Sequence, residues 1–127
     1  MSISKEKRIA VYNKYGGHCA YCGRKIEYKE MQVDHFIPQR GYLQNGSDEI
    51  ENLMPSCRMC NHYKRANPLE LFRTYIEEIP YKLRTNNYIY KVGKAYGLIT
   101  DEERPVKFYF EIKDSEGKET SYPGVVE

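Results

Sequence analysis

The stretch Cys19-Ala20-Tyr21-Cys22 returns, after 34 intervening residues, as Cys57-Arg58-Met59-Cys60, and these two units hold all four cysteines of the chain. A tight turn over two intervening residues aims two thiolates at one point, and a second such turn completes the tetrahedral four-sulfur set that zinc prefers. Gly23, directly after the first pair, suits such a turn. The gap is longer than the roughly 15 to 20 residues of a simple zinc ribbon, so folded chain is expected between the two knuckles. Two readings compete. A pair of disulfides is disfavoured in a reducing compartment, and a redox dithiol needs one Cys pair in a thioredoxin-like βαβ setting that surrounds neither pair here. Four thiolates leave zinc no open position for water, so the expected role of Cys19, Cys22, Cys57 and Cys60 is a structural Zn²⁺ site.

A structural metal fits the rest of the composition. The 127 residues are 30% charged and contain no Trp, and the mean hydropathy is -0.78. A chain this short and polar builds a thin core in a single domain, expected here over residues 1–127. No apolar run approaches the roughly 20 residues of a membrane span, and the start Met1-Ser2-Ile3-Ser4-Lys5 has no leader-like segment. A soluble, cytoplasmic protein without a membrane partner is the expectation. The net charge of +2 decides little, but its distribution is uneven. Residues 1–65 carry 11 Lys and Arg against 7 Asp and Glu, and residues 66–127 carry 9 against 11. Every chemical motif lies in the basic half.

Working outward, Ser4 can cap a first helix through Ile9, Val11, Tyr12 and Tyr15 that ends at Gly16-Gly17. Gln32-Val33-Asp34-His35-Phe36-Ile37 reads as a strand stopped by Pro38, and Gln39 to Asp48, with Gly41 and Asn45-Gly46, as a loop. Asn67-Pro68-Leu69-Glu70 has the form of a helix start, with Leu69, Phe72, Ile76 and Ile79 near one face. A further helix is expected from Asn87 to Tyr96, closed by Gly97. Val106, Phe108, Phe110 and Ile112 alternate with Lys107, Tyr109, Glu111 and Lys113, which predicts a strand with one wet face. Asp114-Ser115-Glu116-Gly117 would turn it into a hairpin. The fold class expected is therefore α+β, a zinc-stapled core at residues 15–70 with a helical and β extension at 70–127.

Between and beside the knuckles lie Val33-Asp34-His35-Phe36-Ile37-Pro38, Glu51-Asn52-Leu53-Met54-Pro55 and Cys60-Asn61-His62-Tyr63-Lys64-Arg65. An imidazole, with an ordinary pKa of about 6.5, can take a proton from water at neutral pH, whereas a carboxylate is a weaker base but a hard oxygen ligand. Asn can ligate through its carbonyl oxygen or hold an imidazole in one tautomer, so the residue types leave open which Asn does which. His35 taken alone would read as a hydrogen-bonded strand histidine, and Asn52 alone as a turn residue. The combined spacing of knuckle, Asp-His-x-x-Pro, Asn-Leu and second knuckle followed by Asn, over residues 15–70, resembles the HNH endonuclease family.

That resemblance implies a ββα-metal fold that holds one Mg²⁺ or Mn²⁺ against a scissile phosphate in DNA. It implies His35 as general base, Asp34 and Asn61 as ligands of the catalytic ion, and Asn52 as the residue that orients His35. His62 takes the ligand position instead if the helix after Cys60 starts one residue later. Because adjacent strand residues face opposite sides, Asp34 and His35 can share a site only where the strand ends or twists. Cleavage would leave a 5′-phosphate and a 3′-hydroxyl. Arg58, Lys64 and Arg65, extended by Arg24, Lys25 and Arg40, would track the DNA backbone, though basic residues on a short helix are ordinarily just solvated. Such nucleases occur in phage packaging, restriction, homing and toxin systems, and the expectation for this chain is weak sequence specificity, or specificity supplied by a homodimer or a protein partner. A non-catalytic zinc-knuckle module that binds nucleic acid or protein is the alternative reading, and the presence of Asp34, His35 and Asn52 argues against it.

Overall fold

A computed structural model describes residues 3–38 and 46–116, which gather into two compact units, Met1–Pro68 with Lys107–Glu127, and Leu69–Val106. In the first unit, helix α1 (Lys5–Asn13) is capped by the Ser4 hydroxyl, which accepts from the Lys7 amide at 3.1 Å. Gly16 and Gly17, at φ 64° and 84°, turn the chain away. Only Val11 of this helix is buried, and α1 is held mainly through polar reach. Lys7 Nζ donates to the Asp48 carbonyl at 2.8 Å, and Lys14 Nζ to the carbonyls of Ile50 and Leu53 at 2.9 and 2.7 Å. Arg8 donates to the carbonyls of Tyr28 and Met31, both at 2.9 Å, and its guanidinium lies 4.9 Å from the Tyr28 ring centroid. Long basic side chains thus tie α1 to backbone carbonyls of the neighbouring chain, where a larger protein would use apolar packing.

Strands β1 (Gln32–His35) and β2 (Leu53–Ser56) pair antiparallel, with Asp34 opposite Met54 and His35 opposite Leu53. Helix α2 (Arg58–Lys64) follows at once, with Cys57 as its N-cap. Two strands and a helix make the ββα arrangement that the sequence led us to expect. Pro55 is tolerated because a two-stranded sheet has only edges, and its carbonyl is used by the Ala20 amide at 2.8 Å. The core of this unit is small: Val11, Tyr21, Ile26, Met31, Leu53 and Met54, joined by Phe108 and Phe110.

The strand or hairpin expected over Val106 to Ile112 is not formed. Phe108 is extended and caps helix α6 (Tyr109–Ser115). Glu111, read above as the wet face of a strand, instead accepts from the Phe108 amide at 2.8 Å, satisfying a helix N-terminus. The amides of Tyr109 and Phe110 donate to the carbonyls of Tyr21 and Ala20 at 3.0 and 2.7 Å. The alternation was real, since Phe108 and Phe110 are both buried, but two buried rings on a helix entry mimic one strand face. Asp114 and Ser115 belong to α6, and Gly117 lies outside the described residues.

The second unit holds α3 (Leu69–Glu77), α4 (Ile79–Asn86) and α5 (Tyr88–Ala95). Ile79, expected to continue the face of α3, begins α4 instead, because Pro80 belongs in a first helical turn and cannot sit in a helix interior. Asn87 caps α5 through its side chain, 2.9 Å from the Tyr90 amide, and Gly97 at φ 77° follows the last turn, both as expected. Asp101 ties the unit together, accepting from Tyr90 at 2.6 Å, Arg84 at 2.9 Å and Lys94 at 3.1 Å. Among the described residues no helix is long and apolar enough to cross a membrane.

Candidate active site and thiol cage

Both knuckles deliver their thiols to one place. The Cys19 sulfur accepts from the Tyr21 amide and the Cys57 sulfur from the Cys60 amide, each at 3.4 Å. Gly23, at φ 84°, closes the first turn where an added Cβ would stand 2.8 Å from the Tyr109 ring. The four ligand sulfurs lie within 4.8 Å of one another, and those of Cys22 and Cys57 are 3.8 Å apart. A disulfide requires about 2.05 Å. A tetrahedron with zinc to sulfur bonds of about 2.3 Å has edges of about 3.8 Å, so the donor set fits that ion. Thiols this close cannot all ionise unaided. A hydrogen bond from Cys60 pulls Cys19 down to about 4, and that same bond, with burial, pushes Cys60 up. A bound divalent cation removes the conflict.

Asp34 occupies the buried side of β1. Its Oδ2 accepts from the Tyr21 hydroxyl at 2.6 Å and lies 3.2 Å from Lys64 Nζ. Burial pushes the Asp34 carboxyl above its ordinary value, and Lys64 and Tyr21 draw it partly back. His35 is the last residue of the strand, and its ring acts electrostatically on Asp34. His35 Nε2 meets Asp48 Oδ1 at 2.7 Å. That bond, with smaller help from the charges of His35 and Lys7, holds the Asp48 carboxyl below its usual value. An ionised carboxylate only accepts, so in this contact Nε2 is the donor, and Nδ1 is the ring nitrogen that Asp48 leaves free.

The Asn52 side chain lies elsewhere than on the His35 ring. Its carbonyl accepts from the Ile37 amide at 2.8 Å, and its amide donates to the carbonyls of Ile37 and Ser47 at 3.1 and 2.8 Å. Asn52 therefore staples the two chain ends that flank residues 39–45. Gly46 completes the staple, because an added Cβ would stand 1.6 Å from the Ile37 carbonyl oxygen. Asp48, two residues on, is thereby delivered to His35, and the sequence reading missed it. The available signal was an acidic residue directly after the Asn45-Gly46-Ser47 turn.

Because α2 starts at Arg58, it sorts the remaining candidates onto two faces. Asn61 lies one turn before Lys64 and Arg65, on the side that reaches β1, while His62 lines a cleft with Arg58, Met59 and Tyr63. That cleft, of about 700 Å³, also takes in Arg24, Lys25, Glu27 and Glu30. Arg58 and Arg65 are exposed as a DNA contact requires. Lys64 is not. Expected on the DNA track, it is completely buried, because its ammonium is the counter-charge of Asp34 and cannot reach a phosphate. Arg40 lies outside the described residues.

Residues 19–66 match the model of the HNH endonuclease family. The CRISPR-associated endonuclease Cas9 of Corynebacterium diphtheriae is 32% identical over 80 residues, covering 59% of this chain and 7% of that protein. The Septu protein PtuB of Bacillus thuringiensis is 36% identical over 59 residues, 45% of this chain and 23% of its own length. Among solved structures, the Type II-C Cas9 enzyme from Actinomyces naeslundii is similar at 23% identity and a TM-score of 0.49, over 81% of this chain and 12% of that one. This chain thus spans less than a quarter of each of these relatives. The segment matched by the HNH endonuclease model, residues 19–66, contains both knuckles and the Asp34-His35 strand end, and the likeness to that family is a property of this segment.

Proposed function

We propose that this chain is a metal-dependent DNA endonuclease, with His35 as general base, Asp34 and Asn61 as ligands of one Mg²⁺ or Mn²⁺ ion, and Cys19, Cys22, Cys57 and Cys60 as ligands of a structural Zn²⁺. The observation that carries the reading is the Asp48 to His35 contact at 2.7 Å beside Asp34. A histidine fixed in one tautomer next to a hard oxygen ligand is what activation of water at a phosphate requires.

His35 Nδ1 takes a proton from the water that attacks phosphorus, and Asp48 steadies the imidazolium that results. The divalent ion supplies charge neutralisation at the phosphate and the departing 3′-oxygen. Asp34 would hold it from β1 and Asn61 from α2, whereas His62 lines the cleft beside Arg58, Met59 and Tyr63. Asn52 acts one step back, as a positioning residue that holds the turn bearing Asp48. Arg58 and Arg65 hold the backbone and confer affinity without sequence information. The products are a 5′-phosphate and a 3′-hydroxyl.

Plasmid cleavage by the zinc-loaded chain tests this. Nicked or linear product is expected with added Mg²⁺ or Mn²⁺ and not without. His35→Ala should lower the rate by about 10² to 10⁴ while DNA binding persists. Cleavage that survives in the variant removes His35 from the role, and a folded wild type that binds DNA without cutting it returns the chain to the non-catalytic module.

A further inference from the structure

Lys64 is a charged side chain with no exposed surface at all, and its ammonium faces Asp34 Oδ2 at 3.2 Å with the His35 carbonyl at 3.5 Å. Tyr21 donates to that same Oδ2 at 2.6 Å. Both contacts fall on one oxygen. Asp34 Oδ1 has no hydrogen-bond partner among the described residues, and no buried side-chain polar atom is left without one, so Oδ1 is the oxygen that reaches solvent. A buried ion pair of this kind stabilises little by itself, since desolvation consumes most of the attraction, and its presence calls for another reason.

We infer that Lys64 is a resident counter-ion for the catalytic metal site: with Tyr21 it clamps Asp34 Oδ2, leaving Oδ1 as a one-oxygen ligand, and its charge opposes the divalent ion. The inference rests on the reading of Asp34 as a ligand given above. Two consequences oppose each other. The clamp fixes the ligand oxygen to the tolerance that chemistry needs. The ammonium repels a second cation bound through the same carboxylate across a buried, weakly screened distance, and so caps its affinity. A lysine that served folding alone would do neither. Lys64 and Tyr21 are thus positioning residues, acting through Asp34 without touching the phosphate.

Mn²⁺ binding to the zinc-loaded full chain, read by the loss of the free-ion electron paramagnetic resonance signal, is the test. Lys64→Met is expected to bind Mn²⁺ about tenfold tighter than wild type, yet to cleave more slowly at saturating metal. Lys64→Arg, which keeps the charge, should stay within about threefold of wild type in Mn²⁺ affinity. Tyr21→Phe, which leaves the charge in place and guards against failure of Lys64→Met to fold, should tighten binding by about two- to threefold and also lose rate. Unchanged or weaker Mn²⁺ binding in folded Lys64→Met overturns the inference, and so does an unchanged Tyr21→Phe. Asp34→Asn separates the two levels: if it leaves Mn²⁺ binding intact, the ligand assignment itself falls, whereas if it abolishes binding and the other variants bind as wild type, only the counter-ion role is lost.

Discussion

Arg65 closes α2 at φ 55° and ψ -139°, and it is the one non-glycine residue with positive φ among those described. Such a conformation costs an ordinary side chain about 1 to 3 kcal/mol and marks a site where something else requires that side chain. On the proposed reading the requirement is a phosphate. Arg65→Gly should then raise stability by about 1 kcal/mol in a denaturant titration while weakening DNA binding and lowering its salt dependence by about one ion. A loss of stability would mean that the conformation is not strained; a gain with unaltered DNA affinity would remove Arg65 from the interface. At this scale the readable residues were those fixed by local spacing. Cys19, Cys22, Cys57, Cys60, Asp34 and His35 all sit at short, chemically meaningful intervals. Asp48 and Lys64 were not readable in their roles. Asp48, thirteen residues along the chain, meets His35 only because the Asn52 staple holds Ile37 and Ser47 together, and a lysine beside a proposed site looks like a phosphate contact until burial turns it inward.

Among the elements, α1, β1 and α5 were legible because a cap, a stop or a glycine bounded each apolar pattern. The segment at 106–112 was misread because period-two alternation over four residues cannot be told from the entry of a helix whose first turn is pinned from outside. What pins α6 is long-range: the backbone bonds to Ala20 and Tyr21, and at its far end the Tyr15 hydroxyl, which donates to the Asp114 carboxylate at 3.1 Å. Burial and the Asp114 charge push Tyr15 up to about 12. An acid whose folded-state pKa exceeds its unfolded value of about 10 contributes its full stabilisation below that value and loses it as pH climbs toward about 12. The melting temperature of wild type should therefore exceed that of Tyr15→Phe by a constant margin from pH 7 to 9.5, and the margin should shrink between pH 10 and 11.5. A margin that holds steady across the alkaline range would show that Tyr15 does not tie α6 to the end of α1.

For the molecule as a whole, on the proposed reading of the four cysteines as zinc ligands, the balance between apolar packing and metal decides stability. The first unit buries a handful of apolar side chains, and the elements around them converge on the first knuckle. Ala20 bonds to β2 through Pro55 and to α6 through Phe110, while Tyr21 bonds to α6 through Tyr109 and reaches Asp34 on β1. Loosening that knuckle releases β1, β2 and α6 together. Small zinc modules draw roughly 10 to 16 kcal/mol from their ion, more than a core of this size supplies. Removal of the ion with a strong chelator, verified by metal analysis, is therefore expected to abolish the cooperative thermal transition of the first unit and to open all four cysteines to a thiol reagent. Refolding on addition of Zn²⁺ should restore protection of the four thiols together, since two thiols alone cannot close the tetrahedron. Cooperative melting that persists in verified metal-free protein would place the stabilisation in the core after all. It would also leave the close approach of the Cys22 and Cys57 sulfurs without a physical reason.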